Sequence, residues 1–179
     1  MRDATIARNY AEALLQLATR ANDLRGWGTL LQSVADAMQR DPRLRAFLET
    51  PRVDAATKNV VLRKALADRA PSKFVRFLEA VVTRRRQMLI PDMAREYSDL
   101  VDQVENRMHA NVTVARDTDD TTRTLIAERL SKVFNKTVVP HLTVDPRILG
   151  GLVVRVGDTV MDGSVRKRLG ALKHRMLST

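Results

Sequence analysis

Hydrophobic positions recur at helical spacing through the first 108 residues and then change to alternation. After Asp3, which can cap a first helix, Ile6, Ala7, Tyr10, Ala11, Ala13, Leu14, Leu15, Leu17 and Ala18 fill an arc of about 200°. A surface helix needs a stripe of only ~100°. The excess fits either a deeply buried helix or one that offers a side to a partner helix. Leu24, Trp27, Leu31, Val34 and Met38 keep the 3–4 spacing of a helix seam and predict a second helix over 24–39. Asp41-Pro42 supplies a cap and a first-turn proline for a short third helix carrying Leu44, Phe47 and Leu48, which stops before Pro51. Asp54 caps a fourth, to about Asp68, with Val60, Val61, Leu62, Ala65 and Leu66 inward. Phe74, Phe77, Leu78, Val81 and Val82 mark a fifth, ending in Thr83 to Arg86, where cations suit the negative end of the helix dipole. Pro91 opens a sixth, to about Met108, with Met93, Tyr97, Leu100, Val101, Val104 and Met108 on one face.

From residue 109 the period changes. Ala110, Val112 and Val114 alternate with Asn111 and Thr113, as in a half-buried strand. A helix follows over 121–136 with Leu125, Ile126, Leu130, Val133 and Phe134 on its buried side. The strand over 137–144 contains Pro140, which cannot donate to a ladder, so this strand belongs at an edge or carries a bulge. The stretch from Gly150 to Leu172 holds strand 152–156, a break at Gly157-Asp158, a short return strand at 159–161 and a turn at Asp162-Gly163. Ser164 then caps a last helix bearing Val165, Leu169, Leu172 and Met176. The expected fold is mainly α: a six-helix bundle over 1–108 and a smaller α+β domain over 109–179.

Composition narrows the chemistry. The 179 residues include no cysteine, which excludes disulfides, thiolate catalysis and thiolate metal sites. No apolar run approaches the ~20 residues of a membrane span, and the N-terminus lacks a secretory core. Aromatics make up only 4%, so platforms for stacking bases are scarce. The net charge of +10 favours an anionic partner, either nucleic acid or an acidic protein or lipid surface. His109, His141 and His174 lie far apart in sequence with no carboxylate or second histidine at metal-ligand spacing. Phosphate-loop and dinucleotide-loop glycine patterns are absent. Ser164 has no histidine partner and suits a cap, while Asp158 and Asp162 beside glycines are ordinary turn residues. No catalytic constellation and no cofactor or metal site emerges.

The run Asp145-Pro146-x-Ile148-Leu149-Gly150-Gly151, then Gly157-Asp158, then Asp162-Gly163-Ser164, Leu169 and Leu172 resembles the C-terminal signature of the ATP synthase δ subunit, the family of the oligomycin-sensitivity-conferring protein. Ile6 to Leu14 is similar to that family's first-helix motif, and Arg86 with Met88 to Pro91 resembles its junction before the sixth helix. The resemblance spans the chain. It implies a non-catalytic stator subunit of a proton-translocating ATP synthase, peripheral on the cytoplasmic face of a bacterial inner membrane. The bundle would bind the N-terminal helix of an α subunit through a groove formed by Tyr10, Ala13, Leu14 and Leu17 with Phe77, Ala80, Val81 and Arg84. The C-terminal domain would bind the end of the peripheral-stalk subunit b, with Arg166, Lys167, Arg168, Lys173 and Arg175 facing acidic residues. Gly150, Gly151, Gly157, Asp162, Gly163 and Ser164 would shape that domain. The alternative is a basic nucleic-acid-binding module, carried by charge alone.

Overall fold

The computed structural model describes residues 2–67 and 69–177, apart from the side chains of Arg2, Arg175 and Leu177. The chain divides into two compact units, Met1–Val101 and Asp102–Thr179. The change of period places the boundary seven residues later, after 108.

The first unit contains α1 (Arg2–Arg20), α2 (Leu24–Arg40), α3 (Pro42–Glu49), α4 (Ala55–Leu66), α5 (Ser72–Thr83), a 3-10 turn (Gln87–Leu89) and most of α6 (Ile90–Val104). Three of its helices, α2, α3 and α4, begin where side-chain oxygens satisfy free backbone donors, while α5 starts after Pro71 without a side-chain cap. Asp23 accepts from Gly26 N at 2.9 Å, Asp41 from Arg43 N at 2.8 Å and Asp54 from Thr57 N at 2.8 Å. Asp3 lies inside the first turn of α1 rather than ahead of it. Trp27 and Phe74 meet edge to face, with centroids 5.8 Å apart, in a core shared with Leu14, Leu31, Leu78 and Met93. Tyr97 is buried there, and its hydroxyl donates to Leu24 O at 2.8 Å. Burial first, and the Asp23 carboxylate second, push its pKa up to about 12.

The fourth helix departs from expectation. Its expected end, Asp68, lies outside the described residues, and α4 itself stops at Leu66. Leu62 is buried as expected, but Val60, Val61 and Ala65 face solvent, and Lys58 turns inward instead. Lys58 takes a core position because its ammonium has acceptors there. Nζ donates to Leu48 O at 2.7 Å and Thr50 O at 2.8 Å, the free carbonyls where α3 ends. Gln87 adds a bond from Nε2 to Leu48 O at 2.8 Å.

The second unit contains β1 (Arg107–Val114), α7 (Asp120–Phe134), β2 (Thr137–Val144), a 3-10 turn (Pro146–Ile148), β3 (Leu152–Val156), β4 (Thr159–Asp162) and α8 (Val165–Leu177). The sheet order is β2-β1-β3-β4, with β1 and β2 parallel and the other pairs antiparallel. Pro140 therefore lies on an edge strand, opposite Ala110. Helix α6 ends at Val104, not Met108. Asn106 takes φ 50° and its carbonyl accepts from Thr137 N at 2.9 Å, so pairing with β2 claims Arg107 and Met108 for strand β1. Ala110, Val112, Val114, Val138 and Val154 form one core with Ile126 and Leu130 of α7. Leu125 and Val133, expected on the buried side of α7, are exposed. His109, Asn111 and Thr113 occupy the opposite face of β1 from this core, as alternation requires.

Candidate partner-binding surfaces

The expected groove residues of α1 and α5 separate into two kinds. Leu14, Phe77 and Val81 belong to the core. Tyr10 and Leu17 are half-buried, and Ala13, Ala80 and Arg84 are exposed. Tyr10 meets Phe77 edge to face, with centroids 6.3 Å apart and planes at 71°, so the two helices touch at this ring pair. Tyr10, Ala13 and Leu17 follow one side of α1 at spacings of three and four. Small exposed side chains at 13 and 80 leave both backbones open to close approach.

At the end of α5 the chain wraps back on itself. Arg85 N–H donates to Val82 O and Arg86 N–H to Val81 O, both at 2.9 Å, and Arg85 holds φ 54°. This is the six-to-one and five-to-two closure in which glycine is the usual residue. Arg84, Arg85 and Arg86 are thereby held at the mouth of the helix, all exposed.

In the second unit the glycine-aspartate signature forms a latch. Gly150 O accepts from Val165 N, and Leu152 O accepts from Gly163 N, both at 3.0 Å. Gly151 has φ 75°, and a Cβ there would lie 2.4 Å from Gly163 O. Gly157 has φ 54° with nothing near its missing Cβ. Asp162 accepts from Ser164 N at 2.9 Å, and that bond holds its carboxyl below the usual 3.8. Ser164 is buried, and its Oγ accepts from Lys167 N at 3.1 Å, capping α8 as its sequence position suggests.

The latch leads directly into α8. Val165, Leu169, Leu172 and Met176, which recur at helical spacing along it, are all exposed, Leu172 at 55% and Met176 at 73%. Arg166, Lys167, Arg168 and Lys173 are exposed on the same helix, which has no acidic residue. The side chain of Arg175 lies outside those described. An apolar stripe flanked by cations thus stands without cover from the described residues of this chain.

Two histidines that look isolated in sequence meet in space. Parallel pairing of β1 and β2 brings His109 Nδ1 within 2.8 Å of His141 Nε2, and His109 Nε2 lies 2.9 Å from an Asp102 carboxylate oxygen. The two lie 32 residues apart and meet only through the register of β1 on β2, which sequence spacing does not reveal. Among the described residues no three histidine or carboxylate side chains are arranged to share one metal ion, and no helix is long and apolar enough to cross a membrane.

Residues 6–176 match the family model described as ATP synthase delta (OSCP) subunit. A protein of Gemmatimonas aurantiaca named ATP synthase subunit delta is 59% identical over 98% of this chain and 95% of its own. A protein with the same name from Desulforamulus reducens is 34% identical over 97% of this chain and 96% of its own. A chain of the Toxoplasma gondii mitochondrial ATP synthase hexamer shares the fold, with a TM-score of 0.61 at 22% identity, covering 96% of this chain and 97% of that one.

Proposed function

Since the chain belongs to the ATP synthase delta (OSCP) subunit family, and is thus a non-catalytic subunit of that complex, we propose that it is the stator connector between catalytic head and peripheral stalk. Residues 1–108 hold the N-terminal helix of an α subunit against the α1–α5 seam. Residues 109–179 hold the C-terminal region of subunit b. So placed, on the cytoplasmic face of a bacterial inner membrane, the subunit resists rotor torque. Its own contact with the membrane is indirect.

The observation that carries this reading is the uncovered stripe of α8. Exposed apolar side chains in a continuous row mark an interaction surface, and adjoining cations select an amphipathic partner with acidic flanks. The seam supports the other half. Tyr10 and Leu17 are half-covered and Ala13 and Ala80 bare, which leaves apolar area for a helix to bury.

Co-purification from the parent organism tests both halves. Leu169→Glu with Leu172→Glu is expected to lose subunit b while retaining α and β. Tyr10→Asp is expected to weaken binding of an α-subunit N-terminal peptide at least ten-fold, read from amide shifts on α1 and α5, with helical circular dichroism unchanged. Unaltered association in both variants would refute the proposed surfaces.

A further inference from the structure

The geometry points to a divalent transition-metal site on the sheet, formed by His109 Nδ1 and His141 Nε2 and positioned by Asp102. The two nitrogens stand 2.8 Å apart. Metal–imidazole bonds of about 2.0–2.1 Å separate two nitrogens by about 2.9 Å at a right angle and about 3.3 Å at a tetrahedral angle. The 2.8 Å contact is a hydrogen bond, and a small adjustment of both rings brings the nitrogens to adjacent corners of one ion; two imidazoles with open positions for water suit a tetragonal ion such as Cu2+ or Ni2+.

Asp102 supplies what such a ligand needs from behind. Its carboxylate accepts from His109 Nε2–H at 2.9 Å, which fixes the tautomer with a lone pair on Nδ1. A metal-bound histidine commonly has its second nitrogen held in this way. With both rings neutral, His141 Nε2–H donates to that lone pair, so a proton bridges the two nitrogens. Metal entry moves the His141 proton from Nε2 to Nδ1, frees the Nε2 lone pair and leaves the net proton count unchanged. The ring planes are inclined by 23° with centroids 5.0 Å apart, so each ring must swing its lone pair toward the common ion. Both residues are exposed and can do so. They also face away from the α7 core, which leaves the remaining coordination positions to water. Arg107, the charged neighbour on the same strand, pairs with Glu105 at 2.9 Å. Bound there, the ion ties edge strand β2 to β1.

The test titrates the full chain with Cu2+, Ni2+ and Zn2+ separately, followed by calorimetry and, for Cu2+, by electron paramagnetic resonance. One Cu2+ is expected, with nitrogen couplings from two imidazoles. His109→Ala and His141→Ala should each lower affinity at least ten-fold, and His174→Ala should leave it unchanged. Asp102→Asn should weaken binding about ten-fold while retaining the two-imidazole signature. Ni2+ should bind more tightly than Zn2+ and raise the midpoint of thermal unfolding in the wild type but not in His141→Ala. Equal affinity of wild type and His141→Ala, a copper spectrum without two imidazoles, or tighter binding of Zn2+ than Ni2+ would overturn the assignment. Circular dichroism of each variant ensures that lost binding is not lost folding.

Discussion

Arg85 occupies a left-handed position that costs an ordinary residue about 1–2 kcal/mol and glycine almost nothing. Arg85→Gly is therefore expected to stabilise the first unit by up to about 1 kcal/mol, part of the gain being lost to the greater freedom of the unfolded glycine. A higher urea midpoint by Trp27 fluorescence, at unchanged slope, checks it. The same physics ranks two glycines of the second unit. Gly157→Ala meets only the backbone penalty, about 1 kcal/mol. Gly151→Ala adds a clash with Gly163 O and should cost at least twice as much, read from amide exchange in β3 and α8. Local chemistry of this kind was largely legible. Asp41, Asp54 and Ser164 announce helix starts because a cap depends on residues within three positions. Asn22, Asn106 and Asn135, all left-handed just beyond helix ends, passed unread although asparagine tolerates that conformation.

At the scale of elements, periodicity located every helix but not always the face it buries. Helix α4 shows why. The sequence offers Val60 and Val61 as core, yet a lysine is buried because three carbonyl-directed bonds from Lys58 and Gln87 close the end of α3. Hydrogen-bond demand outweighed hydrophobicity there. Lys58→Met is expected to destabilise the first unit by about 1–3 kcal/mol, since Thr50 O loses the bond Lys58 gives it while Leu48 O keeps that from Gln87. Val60→Thr, by contrast, should change the urea midpoint by less than about 0.5 kcal/mol equivalent. The apolar period of α8 predicts a helix correctly but cannot say whether its stripe packs on this chain or on another, because periodicity is blind to which molecule supplies the covering surface.

At the scale of the whole molecule, the division into a helical unit and an α+β unit could be read from the change of period, because period follows backbone geometry. The placement of Pro140 at an edge was legible for the same reason. The His109–His141 contact was not, since it follows from strand register across an intervening helix. Acid should act on both units together. Hydrogen bonds from Thr57 and Thr122 lower the pKa of Asp54 and Asp119, the Arg147 side chain lowers that of Asp145, and the Ser164 N–H lowers that of Asp162. A carboxylate lowered in the folded state contributes stability that is complete above its unfolded value and disappears as pH falls through the folded one. Urea midpoints are thus expected to hold down to about pH 5 and decline below about pH 4, with a shallower decline in Asp54→Asn. Pro140 has a further consequence. An outer strand with free donors and acceptors is a template on which a second chain can lay a strand. Its missing N–H lies on the free side of β2, while β4 at the other edge is only four residues long. Pro140 thereby opposes strand addition between free copies, and Pro140→Val is expected to reopen that route without touching either proposed partner-binding surface.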